Sequence, residues 1–223
     1  MIFQFLSSLY LALTQFLSPP ACLYCHENIP TRQAFCTSCS SLILPIVPFD
    51  FYVGKNTTIT VFALSAYKDP VRSLILAKHR GNETSIHFLA DLMCQQTVLQ
   101  QLDIDIIIFI PLHWTRYAAR GFNQAEIIAR AVGTKMGKIV IPLIIRSKKT
   151  DYQARLSLQE REHNVGNAFA LDHSYIGMIA GKNILIIDDL FTTGSTVKAV
   201  AALLIPYQPA KIQVLVACRV TGT

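Results

Sequence analysis

The stretch Ile184-Leu-Ile-Ile-Asp188-Asp189-Leu-Phe-Thr192-Thr193-Gly194-Ser195-Thr196 decides how this chain folds. Four consecutive aliphatic residues run into two carboxylates and then into a short loop of hydroxyls around a glycine. The unbroken apolar run reads as a central strand of a parallel sheet, buried on both faces. Val197 to Leu204, rich in Ala and Leu, reads as a helix. A loop between a strand end and a helix start is where open α/β sheets bind ligands, and the helix N-terminus favours anions. The amides of Thr193 to Thr196 and the Thr and Ser hydroxyls therefore suit a phosphate. Asp188 and Asp189 suit sugar hydroxyls or a hard divalent cation. A buried strand ending in an N-capping turn is the plainer alternative, but capping needs one Asp or Ser, not this whole series.

The thirteen residues resemble the signature of the type I phosphoribosyltransferases, which bind phosphoribosyl pyrophosphate (PRPP). The resemblance implies an α/β fold with a Rossmann-like parallel sheet. It also implies that Asp188 and Asp189 meet the ribose hydroxyls, directly or through Mg²⁺, and are the catalytic pair. Thr192, Thr193, Gly194, Ser195 and Thr196 would then hold the 5′-phosphate.

With 223 residues, 52% of them hydrophobic, the chain can bury one full domain and a small appendage. Its net charge is +6, and the segment from Pro111 to His163 carries ten Lys or Arg against four acids, the same +6. A concentrated basic region suits a polyanion, whether a pyrophosphate or a nucleic-acid backbone; a solvated basic surface is the bland alternative.

Four of the six cysteines form two CxxC pairs, Cys22/Cys25 and Cys36/Cys39, with ten residues between them. Two chelating turns supply four thiolates for a tetrahedral structural Zn²⁺ and leave no open position for catalysis. Two disulfides in a secreted protein are the competing reading, but residues 1–17 lack a basic n-region and a small-residue cleavage site. Ile2, Phe5, Leu6, Leu9, Leu13, Phe16 and Leu17 instead recur at helical spacing, as in an amphipathic helix docked on the protein. Contact with a membrane surface is the alternative for that helix. The expected location is cytoplasmic, with peripheral membrane association through this helix at most. Cys94 and Cys218 lie in apolar contexts and read as small core residues.

Three parts are expected: an amphipathic helix over 1–19, a four-cysteine zinc module over 20–45, and a phosphoribosyltransferase-like domain over 57–223. Residues 40–56 read as a linker. Strands are expected at Thr57–Tyr67, Ile104–Pro111 and Ile212–Arg219, the last closing the sheet. Helices are expected from Asp69-Pro70 to Lys78, over Ser85–Leu102 and over Ala125–Met136. Between Pro111 and Gln124 the chain reads as a loop in which Arg116, Arg120 and Gly121 suit phosphate oxygens.

The run PLHWTRYAARGFNQAE (residues 111–126) looks like the hallmark of the ComF family, which pairs a four-cysteine zinc module with a phosphoribosyltransferase-like domain. Arg146-Ser-Lys-Lys-Thr150, Gln153, Leu156, Arg161 and Asn164-Val-Gly-Asn-Ala-Phe169 fit the family's middle motif. Trp114 stands where a proline is usual, and Pro206-Tyr-Gln-Pro209 replaces a Gly-Ala turn. By this resemblance Arg146–Asn164 is a flexible loop whose Lys148, Lys149, Arg155 and Arg161 face the leaving pyrophosphate. A charged surface helix over Arg155–His163 fits the residues equally.

The resemblance implies PRPP or a related phosphorylated ligand bound with Mg²⁺, an association with natural competence and DNA uptake, and contact with competence-machinery proteins. Phosphoribosyl transfer to a nitrogenous acceptor would follow, although no residue names that acceptor. The alternative is a non-catalytic accessory factor of transformation. In that case the basic segment and its interleaved Trp114, Tyr117, Phe122 and Tyr152 would hold single-stranded DNA.

Overall fold

A computed structural model describes residues 19–30, 33–54, 57–79, 83–95, 99, 101–146 and 168–220. The expected N-terminal helix lies outside the described residues, as do Lys148, Lys149, Arg155 and Arg161.

Among the described residues the cysteine segment comes first, with a one-turn helix α1 (Thr37–Ser40). The chain continues through β1 (Phe49–Tyr52), β2 (Thr58–Ala66), α2 (Val71–His79), α3 (Glu83–Cys94) and β3 (Ile106–Phe109). Then come α4 (Trp114–Arg120), α5 (Gln124–Met136), β4 (Ile139–Ile141), β5 (Ile144–Arg146) and β6 (Phe169–Leu171). The C-terminal part adds β7 (Asn183–Phe191), α6 (Ser195–Leu204) and β8 (Lys211–Arg219).

Six strands form one sheet in the order β1-β2-β8-β7-β3-β4; β5 and β6 form a separate antiparallel pair. Only β1 runs antiparallel to its neighbour in the large sheet. Because side chains alternate across a strand, each central strand feeds two cores. Ile107, Leu185, Ile187, Leu215 and Ala217 face one core with α2, α3 and α5. Ile106, Ile108, Ile184, Ile186, Val214 and Val216 face the other with α6. Burial on both faces explains the unbroken aliphatic runs, each such side chain contributing roughly 1.5–3 kcal/mol.

α6 buries Val197, Val200, Ala201 and Leu204, the i, i+3, i+4, i+7 stripe of a helix lying on a sheet. α5 does the same with Ala125, Ile128, Ala129 and Val132. No described helix is long and apolar enough to cross a membrane.

Three boundaries differ from expectation. The linker contains β1, which pairs with the first half of β2. The loop after β3 contains α4. The helix expected to reach Leu102 ends at Cys94. The last described strand, β8, lies inside the sheet between β2 and β7.

Candidate phosphate site and cysteine cluster

β3 and β7 are parallel neighbours, with Ile108 opposite Ile186 and Phe109 opposite Ile187. The Ile110 N–H donates to the Ile187 carbonyl at 3.0 Å where β3 ends, while β7 runs on beside β8 to Phe191. This pairing brings the segment after β3, with its arginines, to the same sheet edge as the acidic pair.

Asp188 and Asp189 lie within the last turns of β7, both half-buried. The Asp189 N–H donates to Asp188 Oδ1 at 2.8 Å. Beyond them Thr192 and Thr193 are exposed and Gly194 is buried at the turn, with φ +77°. Gly194 caps α6 without any side-chain hydrogen bond, and the first helical bond runs from Lys198 N–H to the Gly194 carbonyl at 2.8 Å. Thr193 Oγ1 accepts from Ser195 N–H at a long 3.4 Å and meets Ser195 Oγ at 3.2 Å. An α-helix whose first amides are this weakly engaged is a ready acceptor for an anion.

α4 is a helix of seven residues. His113, buried, caps it: Nδ1 accepts from Thr115 N–H at 3.3 Å and lies 2.9 Å from Thr115 Oγ1. Gly121, in the left-handed region at φ +81°, ends it with an N–H donated to the Tyr117 carbonyl at 2.7 Å. Gly121, which the sequence offered as a phosphate contact, is the C-cap of α4. Arg116 is exposed and Arg120 half-buried, while Trp114 (69% exposed) and Tyr117 (49%) stand beside them.

Arg146 ends β5, its guanidinium carbon 5.0 Å from the centre of the Phe169 ring. Burial lowers its pKa, the nearby Arg116 lowers it further, and Asp188 opposes both. Two guanidiniums and a carboxylate thus share one field, an arrangement that a phosphate or pyrophosphate would relieve. Sequence reading placed Arg146 in a motif without making it a site residue. Its signal was its position directly after an aliphatic pair and directly before the Lys148-Lys149 run.

The cysteines meet at the other end of the chain. Cys22 N–H donates to the Glu27 carbonyl at 2.8 Å and His26 N–H to the Cys22 carbonyl at 3.0 Å, which closes the first CxxC turn. α1 closes the second, with Ser40 N–H on the Cys36 carbonyl at 2.9 Å. The four Sγ atoms lie within 4.8 Å of one another, and Cys25 Sγ to Cys36 Sγ is 3.7 Å. A tetrahedron of thiolates about 2.3 Å from a zinc ion has S···S edges of roughly 3.8 Å. All six cysteines are free thiols, so the separation is that of ligands and not of disulfides. Burial disfavours the Cys22 thiolate, yet N–H groups of Cys25, Cys36 and Tyr24 hold its pKa down at about 6. Burial and the surrounding thiols push Cys39 up.

A profile described as "Phosphoribosyl transferase domain" matches residues 118–222. The chain is 33% identical over 208 residues to the DNA utilization protein YhgH of Salmonella typhi, covering 89% of each chain. It is 32% identical over 111 residues to Competence protein F of Haemophilus influenzae, covering 49% of this chain and 48% of that one. Among solved structures, the adenine phosphoribosyltransferase of Thermoanaerobacter pseudethanolicus superposes with a TM-score of 0.41 at 11% identity, over 82% of this chain and 98% of that one.

Proposed function

We propose that this chain, which belongs to the ComF family and has the type I phosphoribosyltransferase-like fold, binds PRPP with Mg²⁺ and serves DNA uptake. The observation that carries this reading is the meeting, at the C-terminal ends of the paired strands β3 and β7, of the Asp188–Asp189 pair, the N-terminus of α6 and the segment of α4 that bears Arg116 and Arg120.

The carboxylates accept the ribose hydroxyl hydrogens. The amides of Thr193 to Thr196 and the hydroxyls of Thr192, Thr193, Ser195 and Thr196 donate to the 5′-phosphate. Arg116, Arg120 and Arg146 donate to the pyrophosphate, with Lys148, Lys149, Arg155 and Arg161 available from the segment after β5. Half-buried carboxylates at the end of β7 offer the oxygen ligands that suit Mg²⁺, which when bound would neutralise charge on the pyrophosphate. Phosphoribosyl transfer to a nitrogenous acceptor is the reaction these groups support. The thiol tetrahedron supports a structural Zn²⁺ held by Cys22, Cys25, Cys36 and Cys39. The relatives' names, "DNA utilization protein" and "Competence protein", support the link to DNA uptake and to partners in that machinery.

Titrating PRPP with Mg²⁺ against wild type and an Asp188→Asn/Asp189→Asn double variant tests the reading. Wild type binds and the double variant loses at least about 100-fold in affinity, as expected when charged hydrogen bonds are removed in pairs. No binding by wild type overturns it.

A second reading follows from the exposed Trp114 and Tyr117, three residues apart on α4 and interleaved with Arg116 and Arg120. They form a stacking surface among cations, as single-stranded DNA requires. Affinity for a single-stranded oligonucleotide then falls steeply as salt rises and weakens on Trp114→Ala; a flat salt dependence removes this reading.

A further inference from the structure

Behind the hydroxyl loop stands a wall of rings. Phe51 of β1 meets Phe191 edge to face, ring centroids 5.2 Å apart and planes at 89°. Phe49 meets Phe191 in the same way at 5.4 Å. The Arg219 guanidinium carbon lies 3.6 Å from the centre of the Phe49 ring, and Val220 N–H donates to the Phe191 carbonyl at 2.8 Å. The cluster is therefore fixed from β1, β7 and the end of β8 together.

Gly194 lies directly against this wall. A first side-chain carbon there would come to 2.6 Å from Phe191 Cζ and 2.7 Å from Phe51 Cε2, with Phe51 Cζ nearer still. Real Cβ atoms do not approach so closely, so the loop backbone rests on the ring edges with no slack. Among the described residues the side-chain bonds within the loop are long, 3.2 and 3.4 Å.

We infer that Phe51 is a positioning residue for the phosphate loop. Its ring edge, backed by Phe191, sets where Gly194 lies and so aims the N–H groups of Ser195 and Thr196. The inference rests on the phosphate reading of that loop. It brings into the site a strand about 140 residues earlier in the chain, one that follows the cysteine cluster directly.

Two variants test it. Phe51→Leu keeps the apolar bulk and removes the ring edge. Phe51→Tyr adds one oxygen at Cζ, the atom nearest the Gly194 turn. Each protein is measured for amide hydrogen exchange at residues 193–196 without ligand, for PRPP·Mg²⁺ affinity, and for melting temperature. Both variants should melt near wild type, exchange faster than wild type at residues 193–196 with β7 unchanged, and bind PRPP about tenfold or more weakly, because small misplacements of donors are costly.

Wild-type exchange and affinity in Phe51→Tyr and Phe51→Leu overturn the inference. If Phe51→Leu fails to fold, Phe51→Tyr decides on the same readouts. The ligand-free exchange arm stands by itself. Absence of PRPP binding by wild type therefore overturns the phosphate reading, while exchange still confirms or overturns the bracing role of Phe51.

Discussion

Burial and the neighbouring Arg116 lower the pKa of Arg146, and Asp188 raises it. The guanidinium stays protonated because its ordinary pKa lies so far above neutrality. Replacing Arg146 with Gln removes one cation from a site proposed to hold several negative charges. PRPP affinity should fall by about tenfold or more, as for loss of a charge-assisted hydrogen bond, and calorimetric titration reads it. The residue was partly legible. Asp188, Asp189 and the hydroxyl loop stood out because two adjacent carboxylates at the end of an aliphatic run have few structural explanations. Arg146 did not, because its proximity to Asp188 arises from strands far apart in sequence. The C-cap role of Gly121 was not legible either, because only the backbone shows its left-handed conformation.

Two short elements, α4 and β1, escaped the sequence. α4 is too short to display a hydrophobic period, and none of its residues is buried. β1 has only four residues, Phe-Asp-Phe-Tyr, in a segment whose prolines read as linker. The long elements were legible because their apolar pattern comes from burial on one face of α5 and α6 and on both faces of β7 and β8. At this scale α5 offers a sharp test. Gly133 lies mid-helix, where alanine would ordinarily add about 1 kcal/mol of stability. A Cβ there would stand 2.5 Å from Val140 Cγ2 and 3.0 Å from the Lys138 carbonyl oxygen. Overpacking of this kind costs about 1–3 kcal/mol, so Gly133→Ala should be neutral to destabilising by up to about 2 kcal/mol. Chemical denaturation measures the sign; clear stabilisation would show that α5 and β4 do not approach so closely.

Across the whole molecule the cysteine segment is not a detached appendage. Cys22, Ile29, Phe35, Cys36 and Cys39 belong to the same buried cluster as Leu74 and Ile75 of α2 and Leu89 and Met93 of α3. The double CxxC spacing announced a metal site, but nothing in it told which face of the sheet the segment would cover. Loss of metal should therefore loosen α2 and α3 as well as the segment itself. Cys36→Ser/Cys39→Ser should lose one equivalent of zinc by metal analysis. If about 3 kcal/mol goes with it, the melting temperature falls by roughly 6–12 °C. An unchanged melting temperature would mean that the cluster packs without the ion. The position of β8 carries a consequence for how the protein is made. β2 and β7 must each leave one edge open until the final strand arrives, because β8 lies between them. A nascent chain that has already placed its cysteines and its acidic pair still exposes two unpaired edges, and open edges invite pairing with other chains. A stop codon anywhere before Lys211 would thus remove the middle of the sheet, and the shortened product would be one for proteases and chaperones to clear.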